Sequence, residues 1–298
     1  MTIVVFGGTG KFGGQLISEL LKEGTEMSTI RAAGIHASKL HDFRAEGIEA
    51  VFVDYTNRET LKAALDGADT VFLISTNNLA HRREQNAAVV REAKRAGIER
   101  IAYASLLNAQ KFHSIMAPDH KATEDLILES GMDYLFFRNG WFTENFFPLV
   151  AAAKETGEIV GNAGKGRVAS ATRADYAEAA AKIMTGPIRK RVYEFGGQPA
   201  WDLAGLAAAT SKVFARPVQY RDVRPEEHLE YLISSGHSHE AQFQTSLDTD
   251  IRGGRLDTPS KDLEEVLGRK STSLEEAIAK AWLAGEATTS RLVADLRV

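Results

Sequence analysis

Short, nearly unbroken apolar runs alternate with amphipathic stretches through the first half of the chain. Ile3–Phe6 reads as a strand. In the stretch after it, Leu16, Ile17, Leu20 and Leu21 fall on one face of a helix. Ile30–Ile35 and Ile48–Val53 read as two further strands, with a short helix around Lys39–Ala45 between them. Thr56-Asn57-Arg58-Glu59 has the Thr-x-x-Glu form of a capping box and predicts a helix that starts there. Thr70–Ile74, Ile101–Ala104 and Tyr134–Phe137 read as strands; His81–Ala96 and a stretch holding Thr123–Ser130 read as helices. Strands apolar on both faces belong to a parallel sheet covered on both sides. Strand–helix alternation at this spacing gives right-handed βαβ units, and hence an α/β fold with a doubly wound Rossmann sheet.

The rhythm changes after about residue 140. A glycine-rich loop (Gly161–Gly166) and short elements replace the alternation, and the last third reads as mainly helical. Ala174–Met184 and Val192–Phe195 read as a helix and a strand that return to the sheet, and Ser273-Leu274-Glu275-Glu276 caps a late helix. The expected organisation is a sheet domain over 1–155 and a smaller lobe over 156–298, with returns to the sheet near 173–195.

The most informative local pattern is Gly7-Gly8-Thr9-Gly10-Lys11-Phe12-Gly13, directly after the first strand and opening the first helix. Gly7 permits a tight turn, Gly10 lets the backbone approach a pyrophosphate, and Gly13 lets helix and strand pack closely. The helix N-terminus then presents N–H groups and the positive end of its dipole to phosphate. The motif predicts dinucleotide binding; the alternative is a glycine-rich turn without a ligand. An acidic residue at the end of the second strand would hold a ribose 2′-hydroxyl, and a basic one a 2′-phosphate. This strand ends Ala33-Gly34-Ile35-His36-Ala37-Ser38-Lys39 with no carboxylate, which argues against strict NAD use. His36, Ser38 and Lys39 are placed to meet a phosphate, whereas Arg31 lies inside the strand, with a structural role equally open. Asp54 and Tyr55 end the third strand near the expected adenine region. Ser75-Thr76-Asn77 end the fourth, beside ribose and pyrophosphate; a plain loop role stays open for them.

Composition removes several alternatives. The 298 residues include no cysteine, so disulfides, thiolate catalysis, iron–sulfur clusters and cysteine-ligated zinc are excluded. A net charge of −4 speaks against nucleic acid or anionic lipid as the main partner. No apolar run approaches the ~20 residues of a membrane span. Met1-Thr2 carries no basic region of a secretory signal, so a cytoplasmic protein is expected. His81, His113, His237 and His239 form no convincing metal set; the last two read as lying in a polar loop.

With these segments laid out, the chain resembles the NmrA-like branch of atypical short-chain dehydrogenases, and within it the quinone oxidoreductase group, with triphenylmethane reductases as near relatives. The resemblance spans nearly the whole chain. It is carried by the glycine motif, Val53-Asp54-Tyr55, Ile101-Ala102-Tyr103-Ala104-Ser105-Leu106-Leu107-Asn108-Ala109, Phe137-Arg138-Asn139-Gly140-Trp141-Phe142-Thr143-Glu144-Asn145 and Ala169-Ser170-Ala171-Thr172-Arg173-Ala174-Asp175-Tyr176. It implies binding of NADP(H) in preference to NAD(H), and hydride transfer to quinones. One departure stands out: the family places Arg at the end of the second strand, where this chain has Ile35.

Carbonyl-reducing members of the wider group use a Tyr-x-x-x-Lys helix, in which lysine lowers the pKa of the proton-donating tyrosine. Here His120 stands at the tyrosine position and Glu124 at the lysine position. Tyrosine–lysine catalysis is therefore absent from this helix. A quinone needs less help than a ketone, because the cofactor carries the hard chemistry and the protein mainly holds two rings in contact. The expected partner is thus a small quinone-like molecule, reduced without flavin or metal. Asn139 and Gly140 are expected near the nicotinamide, as is Ser105. Trp141 is expected to wall the acceptor pocket, whereas Phe146 and Phe147 read as core. His120 is placed either to give a proton to the quinol oxygen or to serve as a satisfied structural histidine. Two other functions stay open: an NmrA-type redox sensor that binds the dinucleotide without turnover, and a triarylmethane or azo dye reductase.

Overall fold

From its amino terminus the chain forms β1 (Ile3–Phe6), α1 (Lys11–Lys22), β2 (Ile30–Gly34), α2 (Ala37–Ala45), β3 (Glu49–Phe52), α3 (Arg58–Leu65), β4 (Thr70–Ile74), α4 (Arg82–Arg95), β5 (Arg100–Leu106), α5 (Ala117–Ser130) and β6 (Asp133–Asn139). It continues with α6 (Phe147–Thr156), β7 (Glu158–Gly161), α7 (Arg173–Thr185), β8 (Val192–Phe195), α8 (Leu203–Phe214), β9 (Gln219–Asp222), α9 (Pro225–Ser234), α10 (Ser238–Arg252), α11 (Asp262–Leu267) and α12 (Leu274–Leu283). These elements are those of a computed structural model that describes residues 1–109 and 116–283. His113 lies outside the described residues.

Seven parallel strands pair in the order β3-β2-β1-β4-β5-β6-β8. The order reverses between β1 and β4, so the loops leaving their carboxyl ends part in opposite directions and open a ligand crevice. Alternate residues serve opposite faces. Val4, Phe6, Val71, Leu73, Ile101 and Tyr103 form one core with Leu61, Leu65, Val89, Val90 and Ile127 of the helices α3, α4 and α5. On the other face, α1 packs with α7. There Phe12 of α1 meets Phe72 at 6.4 Å between ring centroids, and Phe72 stacks on Phe137 at 5.5 Å. Each phenylalanine buried this way contributes about 1.5–3 kcal/mol.

The chain divides into two units. The first comprises Met1–Asn139, Arg173–Phe195 and Asp262–Arg269; the second comprises Gly140–Thr172, Gly196–Lys261 and the described residues from Lys270 onward. The first stretch of the first unit ends at Asn139 rather than at residue 155, because α6 packs on β7 and α8. Within the second unit, β7 and β9 form a parallel pair, and the glycine-rich loop read over Gly161–Gly166 begins at the last residue of β7. Phe146, Phe147, Val150, Leu203, Leu206 and Ile278 build its core. Phe146 meets the edge of Trp201 at 4.7 Å.

A buried polar cluster ties α9 and α10 to the end of β7. His228 Nδ1 lies 2.5 Å from Asn162 Oδ1 and 3.5 Å from Asp248 Oδ2. The Asn162 backbone N–H donates to the same carboxylate oxygen at 2.9 Å. His237 stands at the start of α10 and His239 in its first turn, not in an open loop.

Two capping boxes read from the sequence come out differently. Ser273 and Glu276 exchange backbone donors at 3.0 and 3.2 Å at the head of α12. Thr56, by contrast, turns upstream: its N–H and hydroxyl both donate to Asp54 Oδ1, at 2.8 and 2.7 Å. Asn57 caps α3 in its place, accepting from the Glu59 N–H at 3.0 Å. Among the described residues, no helix is long and apolar enough to cross a membrane.

Candidate functional site

The turn from β1 into α1 requires its glycines for steric reasons. Gly7 adopts a φ of +81°, in the left-handed region that L-residues avoid. A Cβ on Gly13 would lie 2.2 Å from the Gly7 carbonyl oxygen. Gly10 caps α1 with extended backbone and no side-chain cap, and no acidic residue sits in the first turn. A helix head without an acidic side chain suits an anion. Thr9 is buried with its hydroxyl over Gly34, where a Cβ would fall 2.2 Å from Oγ1. Lys11 opens α1 in an exposed position, and Phe12 belongs to the core.

At the end of β2, Ile35 is 45% exposed. His36 stands at the cap of α2 without a side-chain hydrogen bond to it. Lys39 is exposed and pairs with Asp42 at 3.7 Å. Arg31 is structural: it donates to the carbonyls of Ala64 and Asp66 at 2.8 and 2.7 Å and pairs with Glu49. Asp54 is held by Thr56, whose two hydrogen bonds lower its pKa. Tyr55 is half-buried against Phe6, at 6.4 Å, with a backbone hydrogen bond at Gly7; burial pushes its hydroxyl up to about 12. Tyr55 therefore touches the glycine turn itself.

The ends of β4 and β5 and the faces of α4 and α5 enclose a polar network. Tyr103 of β5 has its hydroxyl 2.9 Å from His120 Nδ1 and 3.2 Å from Ser75 Oγ. Asn86 donates to Ser75 at 2.9 Å and to Thr123 at 3.2 Å. Burial pushes His120 down to about 3, helped by the Arg82 guanidinium, and pushes Tyr103 up to about 12. Both side chains are neutral at physiological pH. Arg82 Nε donates to the Thr76 carbonyl at 2.8 Å, and its buried Nη1 has no partner among the described residues. The Thr76 hydroxyl donates to Gln85 at 2.7 Å, while Asn77 is exposed.

Glu124, at the position of the lost lysine, is fully buried and paired with Arg138 at 2.6 Å. Arg138 also pairs with Glu194 at 2.7 Å, and both carboxylates hold its pKa up. The Ser105 hydroxyl donates to Glu124 at 2.6 Å, so its hydrogen is committed away from any ligand. Asn139 ends β6, is 4% exposed, and has a buried Oδ1 without a partner among the described residues. Gly140 and Trp141 begin the second unit, where the half-buried Trp141 ring stacks on Phe243 at 6.3 Å.

Sequence reading missed Arg82, Asn86, Thr123 and Phe243, and quoted Tyr103 without a role. Arg82 and Asn86 stand at i and i+4 on the same helix face as Val90 and Ala93. Two polar residues in register with a buried stripe were the available signal.

A glycine turn that a Cβ would fill, a helix head without a cap, and an orphaned buried amide at Asn139 fit a nicotinamide dinucleotide. The comparisons agree. A family model described as NAD(P)H-binding matches residues 7–187. The chain belongs to this NAD(P)H-binding family. Quinone oxidoreductase 2 of Escherichia coli is 35% identical over 93% of this chain and 97% of its own. An NAD(P)H azoreductase of Xenophilus azovorans is 28% identical over 95% of this chain and 98% of its own. Among solved structures, the NADPH-dependent quinone oxidoreductase of E. coli complexed with NADPH is similar with a TM-score of 0.88 at 34% identity, covering 94% of this chain and 100% of that one. Triphenylmethane reductase of Citrobacter sp. complexed with NADP(H) gives a TM-score of 0.88 at 31% identity, with the same coverage.

Proposed function

We propose that this protein is an NAD(P)H-dependent reductase of quinones or similar flat apolar acceptors, working without flavin or metal. The observation that carries the acceptor class is the 35% identity to a quinone oxidoreductase over nearly the full length of both chains. Dye reduction by the same site is the second reading, favoured by the similarity to an azoreductase and a triphenylmethane reductase.

When bound, the reduced nicotinamide supplies the hydride. The helix head at Gly10–Gly13 would hold the pyrophosphate, and Tyr55 steadies the turn through Gly7. His36 and Lys39 serve the 2′-phosphate side, and Thr76 and Asn77 the ribose and pyrophosphate. Asn139 would meet the nicotinamide carboxamide, to which its buried Oδ1 offers an acceptor. Trp141, backed by Phe243, offers the acceptor an aromatic face. His120 serves the proton that a reduced quinone takes up. Among the described residues, no other titratable side chain joins the Tyr103–Ser75 network by hydrogen bond. A cysteine-free chain that draws on NAD(P)H fits the cytoplasm.

The test is absorbance of NADPH, then NADH, mixed with the purified protein and a set of benzoquinones and naphthoquinones. Quinone-dependent loss of the reduced cofactor supports the reductase. Tight cofactor binding with no turnover on any acceptor would sink it in favour of a sensor.

A further inference from the structure

Hydride addition turns a quinone into a hydroquinone anion, and one proton must follow. A buried histidine that stays neutral cannot supply that proton as an imidazolium. The way its ring is held gives another route.

His120 Nδ1 is engaged by the Tyr103 hydroxyl at 2.9 Å, and Nε2 has no hydrogen-bond partner among the described residues. The Tyr103 hydroxyl has two hydroxyl neighbours, Ser75 Oγ at 3.2 Å and Thr123. Asn86, which also donates to the Tyr103 hydroxyl at 3.5 Å, leaves the Ser75 hydrogen free to point along the chain. Its Nδ2 group can only donate, and it donates to Ser75 Oγ at 2.9 Å. The Ser75 hydrogen is then available to Tyr103, the Tyr103 hydrogen to Nδ1, and the ring hydrogen lies on Nε2. Thr123, which also receives from Asn86, spends its hydrogen on the Asp119 carbonyl at 2.9 Å and takes no part.

We infer that Ser75, Tyr103 and His120 form a proton relay that gives one proton to the reduced acceptor while each member stays neutral. The inference rests on the quinone reductase reading above. The step balances as follows. The acceptor oxygen gains the Nε2 hydrogen, Nδ1 gains the Tyr103 hydrogen, Tyr103 gains the Ser75 hydrogen, and the half-exposed Ser75 takes one proton from solvent. Three O–H or N–H bonds break and four form, with the solvent proton accounting for the difference. Afterwards the imidazole carries its hydrogen on Nδ1; once the product has left, Nε2 takes a proton from solvent while Nδ1, Tyr103 and Ser75 pass one back to solvent, which restores the first state. Arg82 and Glu124 are the charged groups that bear on Tyr103. The Arg82 guanidinium opposes accumulation of imidazolium at His120, which favours concerted over stepwise transfer. Tyr103 and Ser75 are positioning and relay residues, and His120 alone meets the acceptor.

Three measurements decide this. In the ligand-free protein, nitrogen-15 NMR of labelled histidine should show His120 neutral and protonated at Nε2 between about pH 5 and pH 8. A hydrogen on Nδ1, or an imidazolium in that range, overturns the relay. In single turnover with a naphthoquinone, the solvent-deuterium proton inventory should be curved, since several protons move together; a linear inventory or no solvent effect overturns it. Tyr103→Phe should lower kcat for the quinone about tenfold to a hundredfold, with both KM values within about twofold. Unchanged kcat, or a loss seen only in KM, overturns the role of Tyr103. Should Tyr103→Phe fail to fold, the first two measurements use the wild-type chain alone. If the wild type reduces no quinone, the functional reading fails, and the NMR result still judges the hydrogen-bond direction by itself.

Discussion

Arg138 grips Glu124 with two parallel hydrogen bonds, Nη2 to Oε2 at 2.6 Å and Nε to Oε1 at 2.9 Å, and Glu124 has no exposure to solvent. A bidentate pair of this kind is strong, but its value lies mainly in what happens when one partner is removed. Arg138→Met takes both guanidinium hydrogen bonds away from a buried carboxylate that the Ser105 hydroxyl also supports. The variant should lose about 3–5 kcal/mol in denaturant unfolding. Replacing both residues, as Glu124→Gln with Arg138→Met, should recover much of that loss. A loss under about 1 kcal/mol for the single variant would show that solvent reaches the pair.

Much of the sheet was legible because its strands are apolar on both faces. Ile3–Phe6, Thr70–Ile74 and Val192–Phe195 match β1, β4 and β8 residue for residue. The glycine turn was legible for the same kind of reason, since a rigid steric rule leaves a fixed spacing. The β7–β9 pair was not, because Glu158–Gly161 and Gln219–Asp222 are short and Gln219–Asp222 is polar, and their pairing is set by packing with α8. Thr56 misled because the cap competed with Asp54 two residues upstream. The polar network was hidden for a different reason. Tyr103 sits within an apolar run, and only tertiary structure brings it to His120, 17 residues away.

Ile35 bears on cofactor preference. It is exposed at the end of β2, where a basic side chain would meet a 2′-phosphate. Ile35→Arg should raise the ratio of kcat/KM for NADPH over NADH by about tenfold or more, the scale of one charge-assisted hydrogen bond. Steady-state kinetics with the two cofactors measures it. An unchanged ratio would show that His36 and Lys39 already define that side of the site.

The buried His228 predicts an acid-dependent stability. Burial pushes it down to about 4, below its ordinary 6.5. The unfolded chain therefore takes the proton first as pH falls. The contribution of neutral His228 is complete above about pH 6.5 and is lost on the way to pH 4. Asp248, raised to about 6 by burial, acts in the opposite sense, since its protonation below about 6 relieves a buried charge. His228→Gln keeps Asp248 in place. The stability difference between wild type and variant should be largest near pH 7 and shrink toward about pH 5, followed by urea midpoints at each pH. A difference that is constant with pH would place the histidine's contribution in packing rather than in its protonation state.

His120 can be separated from cofactor binding by the choice of acceptor. A quinone takes a hydride and a proton. A cationic triarylmethane dye takes a hydride alone and becomes neutral, and a triphenylmethane reductase is 31% identical to this chain. His120→Phe keeps a ring in the buried site and removes the donor. The rate with quinone should therefore fall about tenfold or more relative to the rate with dye, at saturating NADPH. A similar fall with both acceptors would mean that the ring shapes the site or holds the cofactor, and that the proton comes from elsewhere. A quinone rate equal to wild type would show that water protonates the anion unaided. Only an altered ratio assigns the proton to Nε2, because folding, cofactor affinity and hydride distance affect both acceptors alike.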